Sequence, residues 1–309
     1  MSTRSSRTEL RARAALRKLI EETFGSKPAR VHRESEGLTN IVFSVEHNAG
    51  NFIVRLNPKP EKFKAFQKEA WVTAQARKAG VPVPKILKVG REPMPYMILR
   101  KTQGQAATSS PDRLRILHQL GEYGALINSI RTHGFGESFD WAEDGNSQPR
   151  DWLEFVYGEL HLDHRLKVLR VHKMLGKEQL AKVQSVLDRA CRKGRTCALN
   201  HGDLRLKNVI VDARDRVVAI LDWEHCISSL APEWELSLAL HDLTIDEKHK
   251  FLDGYGVRLR DLRAMAPAMK ALNIINYVAE IERLATRGKT KELDFFRLRL
   301  KGVLDLYSI

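Results

Sequence analysis

Cysteine is scarce: the 309 residues include three, Cys191, Cys197 and Cys226. Neither their number nor their spacing makes a disulfide framework or a zinc site, so structural thiols in a reducing compartment are the default. Long apolar runs are missing as well. No stretch is long enough to span a bilayer, and no apolar segment of signal-peptide type follows Met1. The expectation is a cytoplasmic chain that makes no membrane contact. Its Arg-rich, acid-poor beginning hints at a transit peptide, although an ordinary basic leading helix explains it as well. Acids are outnumbered, 38 Asp and Glu against 52 Lys and Arg, for a formal net charge of +14. Such a balance can attract nucleic acid. The basic residues are spread along the whole chain, however, and no aromatic–basic RNA motif appears, which argues for a solvated basic surface that helps recruit an anionic ligand. There is no Walker A sequence, internal repeat or low-complexity segment. With 43% hydrophobic residues, the chain is globular and long enough for two domains or one large two-lobed one.

The most informative stretch is residues 198–224. His201-Gly202-Asp203 reads as a loop. An apolar run from Asn208 to Asp212, a polar turn over 213–216 and a second apolar run ending at Leu221 read as a hairpin. Folding back at 213–216 places Asn208 and Asp222 almost opposite each other, and facing residues on antiparallel strands lie ~5 Å apart. One amide oxygen and one carboxylate, with Asp203 in the preceding loop, suit Mg²⁺, a hard cation that takes few protein ligands and leaves room for phosphates.

His-x-Asp, an Asn five residues after the Asp, and a further Asp after an apolar strand resemble the kinase catalytic loop and its metal-binding Asp. Gly202 stands where protein kinases have Arg, and Asp222-Trp223-Glu224 where they have Asp-Phe-Gly. This pattern is similar to the aminoglycoside phosphotransferase and choline-kinase-like family, and His133-Gly134-Phe135-Gly136 followed by Asp151-Trp152-Leu153-Glu154-Phe155 is similar to its hygromycin-kinase branch. The resemblance implies an α+β, protein-kinase-like two-lobed fold. A small antiparallel-sheet N-lobe is expected over 1–99, a hinge over 100–103 and a larger, mostly helical C-lobe over 104–309. It implies ATP and Mg²⁺ as cofactors. Asp203 becomes the catalytic base, Asn208 and Asp222 the metal ligands, and His201 a brace. Arg205, two residues past the base, reads either as a transition-state contact or as a surface charge.

Other segments take their place around that core. Residues 9–24 read as a helix with Leu10, Ala14, Leu19, Ile20 and Phe24 inward. Strands are expected over 31–33, 41–46 and 51–56. Between the first two, Gly37 frees the backbone while Ser35, Thr39 and Asn40 supply donors, so this loop reads as a phosphate cover or as a plain hairpin turn. By the resemblance, Arg55 grips the nucleotide phosphates and is paired by Glu69 of the following helix. The resemblance also makes 100–103 the adenine-binding hinge, with backbone contacts from Arg100 and Thr102. Glu235 stands where the family usually has Asp, which puts its bracing role in question. Residues 152–170 read as one helix, and so do 269–285. In the latter, Asn273, Asn276, Tyr277 and Glu280 fall on one stripe. That stripe is either solvated or an acceptor-facing wall, and with Glu224 it suits a hydroxylated amine.

The expectation is therefore an O-phosphotransferase that moves the γ-phosphoryl group of ATP to a small hydroxylated acceptor. An aminoglycoside-like antibiotic leads, with an amino alcohol as the metabolic alternative. A pseudokinase that only binds a partner is opposed by the intact Asp203, Asn208 and Asp222, and a nucleic-acid binder would reveal itself by salt-sensitive binding. Oligomeric state is not legible.

Overall fold

The protein is described from a computed structural model covering residues 3–34, 40–137, 151–191 and 197–306. Two compact units are present: Met1–Ser109 with Asn208–Glu224, and Ser110–Lys207 with His225–Ile309. The chain adopts the two-lobed, protein-kinase-like α+β fold, with the antiparallel sheet in the first unit and most of the helix in the second.

Unit one is built on a sheet of order β1-β2-β3-β5-β4, from β1 (Arg30–Arg33), β2 (Ile41–His47), β3 (Gly50–Leu56), β4 (Ile86–Gly90) and β5 (Tyr96–Arg100), with every pairing antiparallel. Alternation along β3 explains how its two faces are used. Phe52, Val54 and Leu56 join Phe43, Val45, Tyr96 and Ile98 against helix α1 (Thr3–Phe24). Ile53 packs with Met97 and Leu99 around Phe66 of helix α2 (Lys62–Lys78). Arg55 shares the parity of Ile53, so β3 delivers it to the α2 side. The buried stripe of α1 is Ala12, Ala15, Leu16, Leu19 and Ile20, at spacings of three and four. Leu10, expected inward, is 65% exposed, and Ala14 is exposed too. Beyond β5, β6 (Gln105–Ala106) pairs with β8 (Val209–Val211), which pairs with β9 (Val217–Ile220). Gly104 permits this at φ +143, since a Cβ there would stand 2.4 Å from Val211 O.

Unit two contains α3 (Arg113–Asn128), the short turn α4 (Trp152–Glu154), α5 (Leu162–Val171), α6 (Lys177–Asp188) and the strand pair β7 (Cys197–Asn200) with β10 (Ile227–Leu230). It continues through α7 (Glu233–Ala239), α8 (Ile245–Tyr255), α9 (Leu259–Asn276), α10 (Val278–Thr286) and α11 (Thr290–Leu306). Its core joins Phe135, Trp152, Phe155 and Trp234 to Leu272, Ile275, Val278 and Ile281. Two expected helices are interrupted. Residues 152–170 divide at a π turn, Phe155–Glu159, and at His161, whose φ is 51. Residues 269–285 divide at Tyr277, which caps both α9 and α10. Among the described residues, no helix is long and apolar enough to cross a membrane.

Candidate active site

In unit one the hairpin sets the first constellation. Val209 faces Ile220, and Leu221 N donates to Asn208 O at 2.7 Å. Asn208 therefore opposes Leu221 and leaves Asp222 one residue beyond. Asp222 is left-handed at φ 62, a conformation that Asp and Asn tolerate better than other L residues. Among the described residues no group of three His, Cys, Asp or Glu could hold a metal. The donor set of Asn208 and Asp222, one neutral and one anionic oxygen, fits Mg²⁺, which keeps several waters and binds phosphates alongside one or two carboxylates.

Arg55 NH1 donates to Glu69 Oε1 at 2.5 Å, and its NH2 lies 3.8 Å from Glu224 Oε2. Burial works against the Arg55 charge, but the carboxylates of Glu69, Glu224 and Asp222 outweigh it and hold the guanidinium above its ordinary value. Burial pushes the Glu69 carboxyl up, against the pull of Arg55. Glu224 also has Lys62 Nζ at 3.7 Å, and its carbonyl accepts from Lys68 Nζ at 3.0 Å. Neither lysine stands out in the sequence. Both lie on α2, and Lys62 stands seven residues before Glu69, on the same face.

The expected nucleotide contacts lie only partly among the described residues. Ser35 and Thr39 lie outside the described residues. Asn40 is buried and accepts from Asn57 Nδ2 at 2.9 Å, so its amide pins the end of β3. Arg100 N donates to Lys85 O at 2.9 Å, which takes this amide away from any base edge, and its guanidinium lies over Phe52. Thr102 follows in the coil after β5.

In unit two the second constellation surrounds Asp203. His201 N donates to Glu235 Oε2, and Asp203 N donates to His201 Nδ1 at 3.2 Å, so the neutral ring carries its proton on Nε2. Gly202 sits at φ +80 with His225 O 2.4 Å from where a Cβ would stand, which explains why an Arg cannot occupy this place here. Asp203 Oδ1 faces Arg205 Nε at 2.9 Å and Oδ2 faces Lys207 Nζ at 2.7 Å; Arg205 NH1 continues to Asp242 Oδ2 at 3.4 Å. Lys207 is absent from the sequence-based reading, although its place four residues after Asp203 was the available signal.

Glu235 does brace the loop, so its longer side chain replaces the usual Asp. Burial raises its carboxyl to about 7, against the pull of the His201 and Gly202 amides. A carboxyl raised from 4.5 to about 7 binds more protons folded than unfolded between those values, so stability falls as pH rises through that window. The melting temperature should decline from about pH 5 to pH 8, and Glu235→Gln should remove that component. An identical slope in wild type and variant contradicts it.

The expected acceptor stripe is not one surface. Asn273 is buried and donates to Ser237 O, and the Tyr277 ring packs tilted against His241 with centroids 4.3 Å apart. Burial and the Arg299 charge hold His241 neutral, well below its ordinary value. Glu280, in contrast, is clamped by Arg283 on a partly exposed face of α10. Glu280 lies on α10, past the break at Tyr277. Asn276 stands at the last turn of α9, with Nδ2 buried.

Comparison with known proteins gives a consistent answer. The structure of aminoglycoside phosphotransferase APH(4)-Ia is similar with a TM-score of 0.68 at 20% identity, covering 96% of this chain and 99% of that one. A thermostable mutant of the same enzyme, in ternary complex with AMP-PNP and hygromycin B, gives 0.67 at 20%, covering 94% and 98%. The GDP complex of wild-type aminoglycoside 2'-phosphotransferase-IIIa gives 0.67 at 17%, covering 93% and 96%. At these identities the likeness speaks to the fold. No curated protein matches the sequence. The model of the phosphotransferase enzyme family matches residues 31–268, most of the chain and all of the residues around Asp203, Asn208 and Asp222, and this chain belongs to that family.

Proposed function

We propose that this phosphotransferase moves the γ-phosphoryl group of ATP to a hydroxyl of an aminoglycoside-like antibiotic. The observation that carries the reading is the hairpin register: Leu221 N on Asn208 O sets the amide of Asn208 and the carboxylate of Asp222 at one end of one hairpin. Mg²⁺, when bound by Asn208 and Asp222, supplies the charge that neutralises the transferring phosphoryl oxygens. Arg55, fixed by Glu69, adds a permanent positive field in the same unit. Asp203 accepts the proton of the acceptor hydroxyl through a carboxylate oxygen. Arg205 and Lys207 flank that carboxylate at 2.9 and 2.7 Å and orient it.

Support for the acceptor class comes from relatives of the same fold that were crystallised with hygromycin B or kanamycin. On this chain Asn273 Oδ1, the Tyr277 hydroxyl and His241 Nε2 are buried polar atoms that make no hydrogen bond among the described residues, which supports a polar wall there. Glu280, held by Arg283, is left out of the proposed acceptor contacts. The test is a panel of aminoglycosides, amino alcohols and neutral sugars offered with Mg-ATP and, separately, Mg-GTP, with nucleoside diphosphate release followed over time. Acceptor-dependent release with at least one aminoglycoside is the expected result. Release only with neutral or anionic acceptors overturns the acceptor class, and no acceptor-dependent release anywhere overturns the activity.

A further inference from the structure

The charged groups of unit one differ in how firmly they are held. Arg55 is held by Glu69, to which NH1 donates at 2.5 Å, and its guanidinium carbon lies 5.4 Å from the Phe66 ring centroid; NH2 lies 3.8 Å from Glu224, beyond hydrogen-bond distance. Only 14% of its side chain is exposed. Its fork turns NH1 to Glu69 and NH2 toward Glu224. Arg55 is thus a fixed charge, not a group that can follow a ligand. Lys68 is fixed too, buried with Nζ on Glu224 O.

Lys62 is different. It opens α2, 28% of its side chain is exposed, and its Nζ stands 3.7 Å from Glu224 Oε2, beyond hydrogen-bond distance. The same Glu224 oxygen faces Arg55 and Lys62 at nearly equal distance, and of the two cations Lys62 is the more exposed. Asp222 lies close enough to act electrostatically on Arg55 and Glu69. Lys62 therefore sits in the same charged cluster as the proposed metal ligand. An ammonium 3.7 Å from its carboxylate makes no hydrogen bond to it, and it gains charge-assisted hydrogen bonds when a phosphate arrives.

We propose that Lys62 is a polyphosphate-binding residue of this chain. It leaves Glu224 for the phosphates of the bound nucleoside triphosphate, while Arg55 stays as the tether that keeps Glu69 and Glu224 in register. The proposal rests on the nucleotide reading above and assigns the phosphate contact to α2 instead of to the strand cation alone.

Equilibrium binding on the full chain tests it, with ATP, adenosine and inorganic tripolyphosphate as probes against wild type, Lys62→Gln and Lys62→Arg. Lys62→Gln should weaken ATP and tripolyphosphate about tenfold or more, leave adenosine unchanged, and be largely rescued in Lys62→Arg. Unchanged ATP and tripolyphosphate affinities overturn the proposal. Equal weakening of adenosine also overturns it, because Lys62 would then be holding the fold. Tripolyphosphate binding that depends on Lys62 in a chain that does not bind ATP keeps the residue assignment and overturns the nucleotide reading. Binding of neither probe by wild type overturns both.

Discussion

Asp203→Asn should lower phosphoryl transfer by about 10²-fold or more while the melting temperature moves little. The shape of this loop is held by its backbone: His201 N on Glu235, Asp203 N on His201 Nδ1, and the Gly202 turn under His225 O. The substitution keeps each of these. It removes the negative charge facing Arg205 and Lys207 but keeps a side-chain oxygen of the same shape between those two cations. Arg205 also keeps Asp242 as a partner. What is lost, in the proposed mechanism, is the acceptor for the substrate's proton. Single-turnover transfer by the purified variant, with circular dichroism as the folding control, is the measurement. Near-normal turnover would remove Asp203 from the chemistry.

Removing the carboxylate proposed to hold the metal should have a comparable effect by another route. Asp222 is left-handed, and Asn accepts that backbone where Ala is strained, so Asp222→Asn isolates the charge from the geometry. Mg-dependent turnover should fall by roughly two orders of magnitude or more. ATP binding without Mg²⁺ should suffer less, because Arg55 and its partner Glu69 remain in place. Asp222→Ala should show the same loss with an added drop in melting temperature. Full recovery of either variant in excess Mg²⁺ would show that Asp222 does not hold the ion.

The catalytic stretch is legible in the sequence because its information is local. Two apolar runs around a polar turn fix a hairpin, and the hairpin fixes which residues share an edge. The Arg55–Glu69 pair follows from the family resemblance, and strand alternation explains it: the parity that sends Phe52 and Val54 to α1 sends Arg55 to α2. What stays hidden depends on distant partners. β7 and β10 are separated by the whole catalytic hairpin, and neither strand is marked by alternation of its own. β4 is hard to read because its residues are only partly buried and Pro82 and Pro84 look like connector. The break at Tyr277 is invisible because apolar residues continue through it; the ring settles on His241, Phe296 and Arg299, which come from other elements. An unbroken helix would have made Glu280 part of a stripe, and a nearby Arg283 at i+3 is the signal that it is a surface ion pair instead. Glu235 shows the reverse case, where a departure from the usual Asp still performs the brace.

The most direct test of phosphoryl transfer by this chain is ³¹P nuclear magnetic resonance of a reaction containing the protein, Mg-ATP and an aminoglycoside acceptor from the panel. The γ-phosphoryl signal of ATP should give way to a phosphate monoester on the acceptor, at a rate that collapses in both Asp203→Asn and Asp222→Asn. Conversion of ATP to ADP and inorganic phosphate alone, with no ester signal on any acceptor, would contradict it.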